Sequence, residues 1–81
     1  MNDKIRDVIA GAAKLSVPAR GIGDTDNLHA LGLTSLTTVS LMLALEDAFD
    51  IEFPDSLLSA QTFGSVASIA AALHTIRPNL T

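Results

Sequence analysis

Apolar residues recur at helical spacing in three stretches of the chain, and each stretch predicts an amphipathic helix. In the first and last stretches these positions are Ile5, Val8, Ile9, Ala12 and Leu15, and then Val66, Ile69, Ala70, Leu73 and Ile76. Asn2 is a plausible cap for the first helix, which Pro18 should close, and Pro78 follows the last one. The middle helix is expected over about residues 35–50.

The segments between these helices are rich in turn residues. Residues 16–34 show no regular period, although Leu28, Leu31 and Leu33 can anchor them to a core. Asp55, after the helix-breaking Pro54, could start a short further helix. With no strand alternation or repeat, we predict one all-α domain over residues 1–81. It should be a four-helix bundle of three long helices and one short helix, with a long loop between helices one and two.

The middle helix has two different faces. Its core face should contain Thr38, Leu41, Met42, Leu45 and Phe49. The opposite face contains Leu36, Ser40, Leu43 and Asp47. Exposed leucines beside a carboxylate are typical of a docking surface, although small domains also leave single leucines exposed without a functional reason.

The charges are unevenly distributed. The formal net charge is -4, and the basic residues Lys4, Arg6, Lys14, Arg20 and Arg77 all lie near the ends. The acidic residues Asp24, Asp26, Glu46, Asp47, Asp50, Glu52 and Asp55 lie between them. This pattern argues against nucleic-acid binding and favours basic partners, unless the acidic surface only keeps the domain in solution.

The composition also bears on location. The chain has no cysteine, so nothing in it requires an oxidising compartment. The first residues are charged, and the longest apolar run, residues 41–45, is far shorter than the roughly 18 residues of a membrane span. We therefore expect a cytoplasmic protein with no membrane span.

Ser35 is the main candidate for chemistry, because it lies where the long loop meets the middle helix. A helix start suits a phosphate group, although a serine there can also be an ordinary cap. Ser35 with His29 or His74 and an aspartate supplies the residue types of a hydrolytic triad, but no G-x-S-x-G motif is present. The two histidines lack metal-ligand spacing. Neither hydrolysis nor metal binding is expected.

The sequences DNLHALGLTSL and LALEDAFDIEFPD, at residues 26–36 and 43–55, resemble the acyl carrier protein family. The resemblance covers about residues 26–69 and implies that Ser35 carries 4'-phosphopantetheine. The thiol of this arm would hold cargo as a thioester. Implied partners are a phosphopantetheinyl transferase, an acyl- or aminoacyl-loading ligase and a downstream transferase or synthase. The chain itself would be a non-catalytic monomer.

The chain departs from the family pattern at the middle helix. Thr34 stands where most members have aspartate, and Thr37 and Ser40 replace residues that are usually acidic. Together with TFGSVASIA, which resembles peptidyl carrier domains, this favours a specialised carrier with aminoacyl cargo over the fatty acid carrier. The expected partner-binding residues are Thr34, Leu36, Ser40, Leu43, Glu46, Asp47, Phe53 and Asp55.

Two questions stay open at the level of sequence. An unmodified helical adaptor that binds basic partners through the middle helix is the alternative to a carrier. The residues Leu28, Val39, Met42, Ala44 and Phe63 could line a cavity for cargo or simply fill the core.

Overall fold

The computed structural model describes residues 1–79, and these fold around three α-helices. The helices are α1 (Asn2–Ala12), α2 (Ser35–Phe49) and α3 (Val66–Ile76), with 3-10 turns at Ala19–Gly21 and Asp55–Leu57. The described residues contain no strand, which confirms the all-α class. None of the helices within residues 1–79 is long and apolar enough to cross a bilayer.

The fourth helix is not confirmed, because the segment that starts at Asp55 makes only one 3-10 turn. Beyond that turn the hydroxyl of Ser59 accepts a hydrogen bond from the backbone amide of Thr62 at 3.2 Å. Such side-chain bonding competes with helix formation. The bundle therefore has three helices, and the residues that follow the turn form an irregular segment.

Helix α1 begins one residue earlier than predicted. Met1 occupies the cap position without a side-chain hydrogen bond, and Asn2 is already helical, so Asn2 is not the cap. Ile5 and Ile9 are fully buried. On the polar side, Arg6 forms ion pairs with Asp3 and Asp24, and its Nε donates to the carbonyl of Ile22 at 2.7 Å. Arg6 thereby holds the long loop against α1.

Helix α2 supplies the centre of the core. Leu41, Leu45 and Phe49 are buried, and Thr38 and Met42 are half-buried, as the predicted core face requires. The other fully buried large side chains are Ile5, Ile9, Leu28, Val66, Ile69 and Leu73. All three helices therefore share a single core with the buried loop residues Ile22, Leu28 and Leu33.

The long loop is fixed at several points. The amide of Leu28 donates to the carbonyl of Gly64 at 2.8 Å, and the amide of Ser16 donates to the carbonyl of Leu31 at 2.8 Å. Gly32 has a φ of 118°, which a side chain would disfavour, and the chain turns there so that Leu33 bonds back to Leu28. These contacts fix the direction in which the chain enters α2.

The carboxyl end of α2 is held by cations from the other two helical segments. Nη1 of Arg77 donates to the carbonyls of Phe49 and Asp50 at 3.1 and 3.2 Å. Nζ of Lys4 lies 4.7 Å from the centroid of the Phe49 ring. Cations stabilise the negative end of a helix dipole and its unpaired carbonyls.

We expect Arg77→Met to lower the free energy of unfolding by about 1 kcal/mol, because the carbonyls at the end of α2 lose their donor. Urea denaturation measures this change. Arg20→Met is the matched control, since the Arg20 side chain is 66% exposed and pairs only with exposed acids. A loss in the control as large as in Arg77→Met would contradict the assigned role.

Candidate functional site

Ser35 is the first residue of α2, and the residue before it, Thr34, is the N-cap of this helix. The hydroxyl of Thr34 accepts a hydrogen bond from the amide of Thr37 at 3.2 Å, and the hydroxyl of Thr37 accepts one from the amide of Thr34 at 2.8 Å. Ser35 is exposed, and its hydroxyl takes part in none of the hydrogen bonds found among residues 1–79. Ser35 is therefore not an ordinary cap serine, and its oxygen is free to react.

The electrostatics at this helix start suit an anion. The first turn of α2 contains no acidic side chain. Backbone amides in a first turn have no partner within the helix, and they lie at the positive end of its dipole. A phosphate on Ser35 would meet these amides without repulsion from a carboxylate in the same turn.

A groove of about 810 Å³ opens beside Ser35. One wall is formed by the start of α2 and the loop before it. The other wall is formed by residues that follow the 3-10 turn at Asp55–Leu57. The lining residues are His29, Leu33, Thr34, Ser35, Thr38, Val39, Met42, Leu58, Ser59, Ala60 and Phe63. Such a groove can shelter an elongated, partly apolar group attached to Ser35.

The groove contains three of the five residues that the sequence offered as a cavity lining, namely Val39, Met42 and Phe63. Leu28 is fully buried in the core, and neither it nor Ala44 lines the groove. Sequence reasoning missed Leu58 and Ala60. Both lie in a segment without a helical period, so no pattern could have assigned them to this wall.

The outward face of α2 is apolar near Ser35. Leu36 is 79% exposed, Val39 52% and Leu43 56%. Ser40 and Asp47 are exposed as well, so all four residues predicted for this face lie at the surface. The sequence predicts Val39 only as a candidate cavity residue. It borders the groove and is also exposed, and it thus links the groove to the outward face.

The acidic residues beyond this face differ in their surroundings. Glu46 is half-buried, and its Oε2 accepts a hydrogen bond from the amide of Phe53 at 2.9 Å. Glu46 therefore stabilises the turn after α2. Asp55 is exposed at the first position of the 3-10 turn.

Phe53 was expected on the partner-binding surface, and this prediction is wrong. The side chain is only 5% exposed and packs edge-to-face against Phe63, with 5.3 Å between the ring centroids. Burial of an aromatic ring against another ring is more favourable than exposure to water. Phe53 belongs to the core and supports the floor of the groove through Phe63.

The two histidines have separate environments. His29 is a loop residue whose Nε2 lies 3.0 Å from the carbonyl of Ala60 and whose Nδ1 lies 3.4 Å from the carbonyl of Leu33. His74 is exposed on α3. Both ring nitrogens of His29 therefore face backbone carbonyls, which is not the arrangement of a hydrolytic triad. Residues 1–79 contain no cluster of His, Cys, Asp or Glu that could hold a metal ion.

Residues 3–73 match the family described as "Phosphopantetheine attachment site". The chain is 46% identical over 69 residues to an aminoacyl carrier protein of Agrobacterium fabrum, an alignment that covers 85% of this chain and 83% of the relative.

Two solved structures are also similar. One is of engineered Bradyrhizobium japonicum glycine:[carrier protein] ligase complexed with a carrier protein from Agrobacterium tumefaciens and ATP. The match has a TM-score of 0.89 and 43% identity, and it covers 93% of this chain and 97% of the other. The second is of the Bradyrhizobium japonicum ligase complexed with glycylated carrier protein, with a TM-score of 0.75, 30% identity and coverage of 88% and 95%. Since the family match spans most of its length, this chain belongs to the phosphopantetheine-attachment family of carrier proteins, whose members hold a covalent phosphopantetheine arm.

Proposed function

We propose that this protein is an aminoacyl carrier whose phosphopantetheine arm is attached to Ser35. The observation that carries the proposal is the free, exposed hydroxyl of Ser35 at the first position of α2, beside the apolar groove. An unmodified adaptor would not need this arrangement. The family match and the carrier relatives favour the carrier over the adaptor.

The residues around Ser35 fit the arm. Its phosphodiester would lie against the unpaired amides of the first turn, and its apolar portions could lie along Val39 and Met42 in the groove. When attached, the arm supplies a thiol that holds a carboxylic acid as a thioester. The protein supplies the attachment point, the groove and the surface that enzymes recognise.

Attachment requires a transferase and coenzyme A. The oxygen of Ser35 forms a new bond to the phosphorus that carries the pantetheine group, and its hydroxyl proton is lost. The bond between the two phosphates of coenzyme A breaks, and adenosine 3',5'-bisphosphate leaves. The chain contributes the nucleophilic oxygen, and the transferase contributes the base, so this carrier is a substrate and not a catalyst.

Two lines of support point to an amino acid as the cargo. The Agrobacterium relative is an aminoacyl carrier protein, and the carrier protein in complex with the Bradyrhizobium ligase is glycylated. In addition, α2 has no acid in its first turn, unlike the acidic start that is usual for the acyl carrier family. We infer that a separate ligase loads a small amino acid and that a downstream transferase or synthase removes it.

The ligase is proposed to dock on the outward face of α2. Leu36, Val39 and Leu43 would give it an apolar contact close to Ser35, with Thr34 and Ser40 at the edges. Glu46, Asp47 and Asp55 would form an acidic border that a basic residue of the ligase could contact. Phe53 has no part in this surface because it is buried.

Incubation of the unmodified protein with coenzyme A and a broad-specificity phosphopantetheinyl transferase should add the mass of one phosphopantetheine. We expect Ser35→Ala to abolish this gain in mass, because it removes the hydroxyl oxygen to which the arm is proposed to be attached. Mass spectrometry of the intact chain provides the measurement. Ser40→Ala, an exposed serine in the same helix, is the matched control and should be modified fully. Modification of Ser35→Ala, or of no variant at all, would refute the attachment site.

Substitutions on the outward face of α2 should weaken loading by the ligase. We expect Leu36→Asn and Leu43→Asp to raise the KM of the phosphopantetheine-bearing carrier by about tenfold, as loss of an apolar interface contact of about 1–2 kcal/mol implies. Rates of glycine transfer, measured with a glycine:[carrier protein] ligase, test this.

Leu36→Met keeps the apolar contact and should retain the original KM, and circular dichroism should show equal helicity for all variants. Unchanged loading of both polar variants would show that the ligase does not use this face.

A further inference from the structure

His29 connects the two walls of the groove. Its Nδ1 faces the carbonyl of Leu33, two residues before Ser35, and its Nε2 faces the carbonyl of Ala60 on the opposite wall. Leu33 and Ala60 both line the groove. One side chain therefore bridges the segment that leads into Ser35 and the segment that faces it.

The bridge depends on the protonation of the imidazole. A neutral imidazole has one N–H and one lone pair, so it donates to one carbonyl and directs a lone pair at the other. A doubly protonated ring donates to both. The contact with the carbonyl of Ala60 is the shorter, at 3.0 Å against 3.4 Å for the carbonyl of Leu33. The neutral ring should therefore donate its one N–H to Ala60 and lose the hydrogen bond to Leu33.

The concave surfaces that border His29 are lined by residues other than Asp, Glu, Lys and Arg. Two concave surfaces border it, the groove beside Ser35 and a shallower one that includes Asn27, Gln61 and Ser65. No Asp, Glu, Lys or Arg lines either surface, whether from the loop, α2, the 58–64 segment or the start of α3. Upstream on the same loop, Asp26 accepts a hydrogen bond from the amide of Gly23, and Asp24 pairs with Arg6. The two aspartates of this loop thus have partners other than His29.

We propose that His29, in its doubly protonated form, is a positioning residue that ties the segment entering Ser35 to the opposite wall of the groove. The functional part rests on the proposed attachment at Ser35. The bridge lies on the inner side of the site and does not involve the outward face of α2. It therefore acts on how Ser35 is presented and not on how enzymes dock.

Nuclear magnetic resonance of the unmodified protein tests the bridge without any attached arm. Imidazoles change charge between about pH 5 and 8. We expect the Ala60 methyl and the Thr34 amide signals to move with the same midpoint as the ring nitrogens of His29, and to stay constant in His29→Gln. His74→Gln, at an exposed position of α3, is the control and should behave as the unsubstituted chain does. The bridge would be refuted if the Ala60 and Thr34 signals did not change with pH, or if they changed equally in His29→Gln.

Phosphopantetheine transfer tests the consequence for Ser35. We expect His29→Ala to lower kcat by about two- to tenfold, the effect of one lost hydrogen bond, with KM changed less than about twofold. A glutamine side chain has both donor hydrogens on one nitrogen, so it can replace only one of the two contacts. The kcat of His29→Gln should therefore lie between that of His29→Ala and that of the unsubstituted chain. The kcat ratio of His74→Gln to His29→Gln should rise from pH 8 to pH 6.

A higher KM with an unchanged kcat, or a ratio that does not depend on pH, would refute the positioning role while leaving Ser35 as the attachment site. A chain that no transferase modifies refutes the attachment site and with it the positioning role, and the resonance measurements then still decide whether the bridge exists.

Discussion

The candidate site depends on the reciprocal hydrogen bonds between Thr34 and Thr37, which fix the start of α2. They satisfy two backbone amides with side-chain oxygens, so the hydroxyl of Ser35 is not needed to cap the helix. If Ser35 were the cap, attachment of a phosphodiester would consume the oxygen that stabilises the helix. Because Thr34 is the cap, the proposed attachment at the adjacent Ser35 would leave the hydrogen bonds that support the helix start intact.

The core controls where this helix start lies relative to the groove. Leu28 is fully buried, and its amide is bonded to the carbonyl of Gly64, on the segment that leads into α3. His29 follows directly and contacts Ala60 on that same segment. The loop before Ser35 is thus joined by a buried side chain, a backbone hydrogen bond and an imidazole to the opposite wall. The groove is a product of this connection between two segments distant in sequence.

The helices could be predicted from the sequence because their apolar residues repeat. Leu41, Leu45 and Phe49 lie on the buried side of α2, and Leu36 and Leu43 on the exposed side, as the helical period requires. Ser35 is a predictable candidate because of its place at the loop-helix junction and because of the resemblance to acyl carrier proteins.

The incorrect predictions concern segments in which apolar residues do not repeat at helical spacing. Phe53 is predicted at the surface, but it is buried in contact with Phe63, which no local sequence pattern reveals. The wall formed by Leu58 and Ala60 and the two carbonyls that face His29 likewise arise only when distant segments meet. The same holds for the segment at Asp55, which makes one 3-10 turn and is followed by a hydrogen bond from the amide of Thr62 to the hydroxyl of Ser59.

The character of α2 also explains how one small surface could serve several enzymes in turn. Leu36, Val39 and Leu43 lie at spacings of three and four residues, so they form one exposed stripe that ends near Glu46 and Asp47. Three side chains are few for an interface, since a stable complex buries roughly 1,200–2,000 Å² and uses about 20–30 residues on each side. Contacts made through the stripe should therefore be weak and short-lived. A carrier needs this property, because a partner that held it tightly would prevent the loaded arm from reaching the next enzyme.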